Sequence, residues 1–156
     1  MEFFLAQHVA KKRYENSRAR NLPDKKIGKQ SHRETDVQGI AGEIAVAKAL
    51  NIFPDFSVDD APVADLLSPN GLWIDVKTTL YREGRLIAAP WKKPDGVDFF
   101  VLVVGEAPEF LIAGVMSSTE LLRPERLKDL GHGYAYCADQ SELTPFCESL
   151  LMNPSD

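Results

Sequence analysis

Cysteine is nearly absent: two residues in 156, Cys137 and Cys147. Their spacing fits neither a metal knuckle nor a C-x-x-C redox pair. That excludes a disulfide-built scaffold and a cysteine-ligated zinc site, and leaves each as a buried apolar side chain in a reducing compartment. The three histidines, His8, His32 and His132, are scattered without ligand spacing, so each reads as a surface residue, with His32 placed to join the basic arm's phosphate contacts. No apolar run approaches the roughly 20 residues needed to cross a bilayer. The opening "MEFFLAQHVAKK" carries its charges after its apolar part, unlike a signal peptide. A cytoplasmic protein without a membrane partner is expected. Neither a G-x-S-x-G elbow, a P-loop nor a dinucleotide fingerprint occurs; "GIAGE" is too short and sits inside a helical pattern. Repeats and low-complexity tracts are also missing.

What is present is the composition of a folded globular domain, 44% hydrophobic and 26% charged, of a length that supports one core. The net charge of -5 conceals an asymmetry. Nine of the 18 Lys and Arg fall between residues 11 and 33: Lys11, Lys12, Arg13, Arg18, Arg20, Lys25, Lys26, Lys29 and Arg33, against only Glu15 and Asp24. A basic arm on an otherwise acidic chain suits an anionic partner, nucleic acid being the usual one; a solvated helix face and loop account for it equally well.

Residues 3 to 21 read as a helix that turns basic along its length and ends before Pro23 in the turn-rich "NLPDKKIGKQ". Residues 1 to 30 therefore form a basic N-terminal helix and linker, and 31 to 156 a single domain. Ser31 and Glu34 have capping-box spacing, and Val37, Ile40, Ile44 and Ala47 share a stripe, which predicts a helix over about 33 to 50. Gly39 and Gly42 inside it suggest close approach by another element or a ligand. From about residue 56 the pattern turns to strands: "VADLL", the turn "SPNG", "LWIDVKTTLY", the turn "REG" and "RLIAA", a three-stranded meander. After "PWKKPDG" come "VDFFVLVVG", apolar enough to be covered on both faces, and "EFLIAGVMS". "SSTELLRPERLKDL" reads as helix, with a Ser117/Glu120 capping box and a break or restart at Pro124; "GYAYCA" reads as a last edge strand and "TPFCESLLM" as a closing helix. The expected fold class is α/β (α+β), a central mixed β-sheet flanked by helices.

Within this frame Asp75 and Lys77 stand out, two charges in an apolar strand. If "SPNG" closes a hairpin through Pro69, Asn70 and Gly71, with Gly71 left-handed, residue 65 falls opposite residue 75. Asp65, Asp75 and Lys77 then share a face, the two carboxylates with Cβ atoms roughly 5 Å apart. Carboxylates held so close repel unless a cation lies between them, and oxygen ligands without His or Cys favour Mg²⁺ or Mn²⁺. The small-residue segment "GIAGEIAVA" offers a third acid, Glu43, with nothing bulky around it.

Glu43 on a helix, Asp65 on a strand and Asp75-Val76-Lys77 on the next strand resemble the PD-(D/E)XK nuclease superfamily, the restriction endonuclease-like fold that includes Holliday junction resolvases. The resemblance spans roughly residues 31 to 116. It implies a restriction endonuclease-like core and a Mg²⁺- or Mn²⁺-dependent hydrolase that cuts phosphodiester bonds in DNA to a 5′-phosphate and a 3′-hydroxyl. An endonuclease acting on repair, recombination or phage-replication intermediates is the form expected. Asp65, Asp75, the Val76 carbonyl and Glu43 would bind metal, and Lys77 would orient or polarise the attacking water. Ala64 stands where the superfamily name has proline, and Asp59 and Asp60 compete with Asp65 for its role. A homodimer would supply two sites for two strands.

Asp75 and Lys77 also fit a half-exposed strand whose Ile74 and Val76 face a core, but Asp65 and Glu43 are then unrelated coincidences. Glu43 taken alone fits a solvent-facing helix residue. Thr78 is a strand former whose hydroxyl could meet a phosphate; Trp91, Lys92 and Lys93 suit a nucleic-acid strand, or else Trp91 closes the core beneath a solvated loop. The alternative function is a catalytically inactive nucleic-acid-binding or assembly module that keeps the nuclease fold.

Overall fold

In the computed structural model, residues 2–19, 32–54 and 64–147 are described. Two long helices come first, α1 (Glu2–Ala19) and α2 (His32–Ala49). They pack through Ala6, Val9 and Ala10 of α1 against Val37, Ile40, Ala41 and Ile44 of α2. The expected single stripe on α2 is divided. Val37, Ile40 and Ile44 serve α1, while Ala47 joins Val46 and Leu50 against the sheet.

That sheet has four strands in the order β1 (Leu66–Leu67), β2 (Trp73–Thr79), β4 (Phe99–Glu106), β5 (Glu109–Ser117). It is mixed: β1 and β2 are antiparallel, β2 and β4 parallel, β4 and β5 antiparallel. Ile74, Val76, Val101, Val103 and Val115 meet α2 on one face. On the other, Phe100, Leu102, Val104 and Met116 pack with Leu86, Ala88 and Ala138 of a second sheet, ordered β3 (Leu86–Ala88), β7 (Tyr134–Ala138), β6 (Leu127–Asp129). The long apolar β4 is thus covered on both faces, by a helix and by a second sheet.

Four expectations are corrected. The meander stops after two strands: β3 pairs with β7, because β4 takes the β2 edge that β3 would have used. "GYAYCA" is central in its sheet, flanked by β3 and β6. Ser117 caps α3 (Ser118–Leu121) without a side-chain hydrogen bond, and after a 3-10 turn at Pro124–Arg126 the chain forms strand β6 where helix was expected. Cys137 is buried as expected, but Cys147 is exposed. The expected closing helix "TPFCESLLM" is not helical over 144–147, where Thr144 bridges to Val115; Ser31 and residues 148–152 lie outside the described residues. No helix among the described residues is long and apolar enough to cross a membrane.

Helix α2 lies so close to β2 that a Cβ on Gly42 would sit 1.9 Å from Thr78 Oγ1, whereas a Cβ on Gly39 would meet nothing within 4 Å. The two glycines therefore respond to alanine with opposite sign. Gly42→Ala is expected to destabilise by about 1–3 kcal/mol through overpacking, and Gly39→Ala to stabilise by up to about 1 kcal/mol through helix propensity. Urea midpoints of the two variants measure this.

Candidate active site

The turn after β1 sets the site's register. Gly71 takes φ +83°, its N–H donates to Ser68 O at 2.9 Å, and Ser68 N–H donates to Leu72 O at 2.9 Å. The three-residue loop Pro69, Asn70, Gly71 brings Leu67 opposite Trp73 and Leu66 opposite Ile74. The regular pairing runs as far as Leu66 opposite Ile74, and Asp65 N–H donates to Ile74 O at 2.9 Å, so Asp65 sits at the end of the ladder beside β2.

Along β2 the side chains alternate between the two layers. Asp75 and Lys77 lie in register with Phe100 and Leu102, on the face turned toward the second sheet, while Ile74, Val76 and Thr78 face α2. Asp75 is only 2% exposed. Burial of that depth demands compensating partners, and two lysines supply them. Lys77 Nζ makes an ion pair with Asp75 Oδ1, and Lys92 Nζ, from the loop between β3 and β4, lies 2.5 Å from Asp75 Oδ2. Although Oδ1 touches Lys77, it is buried without a well-oriented hydrogen bond.

Asp65 is the first residue before β1, and beyond it no strand among the described residues pairs with the outer edge of β2. Its side chain takes the place of the missing strand: Val76 N–H donates to Asp65 Oδ2 at 2.6 Å. The Val76 carbonyl projects from the same strand edge as its N–H, beside Asp65.

Glu43 stands one turn before Val46 and Ala47, on the stripe of α2 that meets the sheet, and is 9% exposed. The helix covers the Ile74 and Val76 face of β2, the face opposite the one that carries Asp75 and Lys77. Asp65 and Lys77 lie within the electrostatic reach of Glu43. Arg13 of α1 holds it, Nη1 lying 3.3 Å from Oε2 and 3.5 Å from Oε1.

Burial drives the electrostatics. Desolvation first, and then the charge of Asp65, raise the Glu43 pKa to about 8 against the pull of Arg13 and Lys77. Asp65 is raised by burial and next by Asp75, with Lys77, the Val76 N–H and Lys92 opposing. Burial pulls Lys77 down, but Asp75, Asp65 and Glu43 outweigh it and hold the ammonium above its ordinary value. The coupling runs as a chain, Glu43 to Asp65 to Asp75, with Asp65 in the middle. Among the described residues no group of three or more His, Cys, Asp or Glu is close enough to hold a metal ion; Asp65 and Asp75 are the neighbouring oxygen donors.

The structure thus brings Glu43, Asp65, Asp75, Val76 and Lys77 together and treats the expected nucleic-acid contacts unequally. Thr78 faces α2, its Oγ1 buried without a hydrogen bond, because alternation puts it on the opposite side from Asp75. Lys92 is bound to Asp75 and Arg13 to Glu43. Lys11 makes a loose pair with Glu15 at 3.9 Å, Lys12 and Lys93 are exposed, and Trp91 is 54% exposed, so it does not close the core. Arg18 and Arg33 fall in α1 and α2; Arg20, Lys25, Lys26, Lys29, Asp59 and Asp60 lie outside the described residues. Sequence reasoning missed two site partners. Arg13 had a signal, since Ala6, Val9, Ala10 and Arg13 share the buried stripe of α1. Lys92 had none beyond its place in a loop.

The raised Glu43 pKa makes stability depend on pH. Between 4.5 and about 8 the folded chain holds a proton that the unfolded chain has lost, so this group's contribution falls as pH rises through that window. The decline is at most about 1.4 kcal/mol per pH unit. Glu43→Gln should flatten it, giving a smaller loss of Tm between pH 5 and pH 8 in EDTA than the unaltered protein shows; parallel losses would contradict the assignment. Comparison of the chain with protein-family models, curated proteins and solved structures gives no match.

Proposed function

We propose that the protein is a metal-dependent nuclease that hydrolyses phosphodiester bonds in DNA, in the manner of the PD-(D/E)XK superfamily. The observation that carries this reading is the pairing of buried Asp75 with Lys77, with the charge of Asp75 felt at Asp65 and that of Asp65 at Glu43. An acid on a helix, an acid before a strand and a D-x-K on the next strand follow one another along the chain in the order of the resemblance.

The donors fit a hard divalent cation. Asp65 and Asp75 offer carboxylate oxygens without competing His or Cys, Asp75 Oδ1 is buried with the Lys77 ammonium beside it, and burial first and then the charge of Asp75 raise the Asp65 pKa. Asp65, Asp75 and the Val76 carbonyl would hold Mg²⁺ or Mn²⁺, with Glu43 as the outer acid. Such an ion supplies charge neutralisation at the phosphate and a more acidic water. Lys77 keeps its proton because three acids surround it, so it serves as a donor that orients the water or a phosphate oxygen, not as the base. Lys12, Lys93 and the half-exposed Trp91 offer charge and a stacking face to the strand being cut. An endonuclease acting in the cytoplasm on repair, recombination or phage-replication intermediates fits this surface, and a homodimer would set two sites against two strands.

One observation favours a second reading, a nucleic-acid-binding or assembly module without chemistry. Arg13 already pairs with Glu43, and Lys77 and Lys92 with Asp75, so internal cations serve the acids. The two readings separate on supercoiled, single-stranded, flapped and four-way-junction DNA in Mg²⁺ or Mn²⁺. The nuclease cuts at least one of these, and Asp75→Asn or Lys77→Ala lowers the rate by about 10²-fold or more. Salt-sensitive binding that survives EDTA and Asp75→Asn, with every substrate left intact, establishes the module instead.

A further inference from the structure

Two lysines share the single carboxylate of Asp75, and they are held differently. Lys77 belongs to β2, its backbone fixed in register with Leu102 of β4. Lys92 belongs to the connection between β3 and β4, where its N–H donates to Ala89 O at 3.0 Å and its neighbours Trp91 and Lys93 are exposed. Lys92 therefore has only a local turn holding it, whereas moving Lys77 would disturb the sheet.

Charge balance makes that difference matter. Asp65, Asp75, Lys77 and Lys92 form a group of two acids and two cations, formally neutral, in which Asp75 is buried and the other three are half-buried. A divalent ion placed on the two aspartates would leave the group at +2 in a region of low dielectric, where excess charge of one sign is costly. The least costly relief is loss of the more movable cation. We infer that Lys92 is an exchangeable cation: it occupies Asp75 in the metal-free protein and is displaced by the divalent ion, whereupon it joins Lys93 and Trp91 on the surface that meets the nucleic-acid backbone. The inference rests on the metal-dependent reading of the site. It adds a coupling, because an ion that frees Lys92 strengthens nucleic-acid binding, and by linkage the nucleic acid strengthens binding of the ion.

Mn²⁺ binding to the full chain, measured by titration calorimetry without nucleic acid, tests this apart from activity. Lys92→Gln should bind Mn²⁺ about tenfold more tightly than the unaltered protein, the equivalent of about 1.4 kcal/mol of competing ion pair. Lys93→Gln, one residue along and unpaired with Asp75, should stay within about twofold, as expected for a screened surface charge. In a Trp73→Phe background the remaining Trp91 reports the loop while Lys92 is still native: Mg²⁺ should change its emission, and the added Lys92→Gln should remove that response. Equal or weaker Mn²⁺ affinity in Lys92→Gln, or metal binding with no Trp91 response, overturns the exchange and leaves the nuclease reading standing. Absence of metal binding in both the unaltered and the Lys92→Gln protein overturns both.

Discussion

A carboxylate buried as deeply as Asp75 has to be compensated, and the way that is done organises the rest of the site. With 2% of its surface exposed, Asp75 cannot rely on water, so cations must come to it. Lys77 comes from the same strand and the same face; Lys92 comes from across the β3 to β4 connection and ties that loop to β2. The loop in turn carries Trp91 and Lys93 to the rim. One buried acid thus fixes both the charge balance of the site and the surface next to it.

The second acid depends on the end of a strand. Because β1 is short and preceded by Asp65, among the described residues no strand pairs with the outer edge of β2 beyond Ile74, and the Asp65 side chain accepts from the Val76 N–H there. Helix α2, which carries Glu43, lies close to β2, and the missing Cβ of Gly42 above Thr78 permits the approach. Arg13 then links α1 to the site through Glu43. Closeness has an electrostatic consequence: desolvation holds protons on Glu43 and Asp65 more tightly than water would, in a place where a metal site needs them released.

What could be read from the sequence was what is decided locally. The turn "SPNG" needs a left-handed residue and has a glycine there, which fixed the hairpin register as far as Leu66 opposite Ile74 and left Asp65 at the end of that ladder. The two long helices followed from stripe spacing and from the prolines and glycines around them. Pairing between distant strands was not legible, since apolar alternation in "RLIAA" shows a strand without showing which edge it joins. The stretch Leu127–Asp129 has helix formers yet is extended, because β7 offers it a ladder. The Arg13 contact was readable from helical spacing; the Lys92 contact, made from a loop, leaves no periodic trace.

The claim beneath this account is that Asp65 and Asp75 are a metal pair and not merely two acids tied up by lysines. A crystal structure with Mn²⁺, recorded at a wavelength where manganese scatters anomalously, tests it most directly. The account predicts a peak touching carboxylate oxygens of both aspartates and the Val76 carbonyl, with Lys92 withdrawn from Asp75. Saturating Mn²⁺ with no peak there, and both lysines still on Asp75, would contradict it.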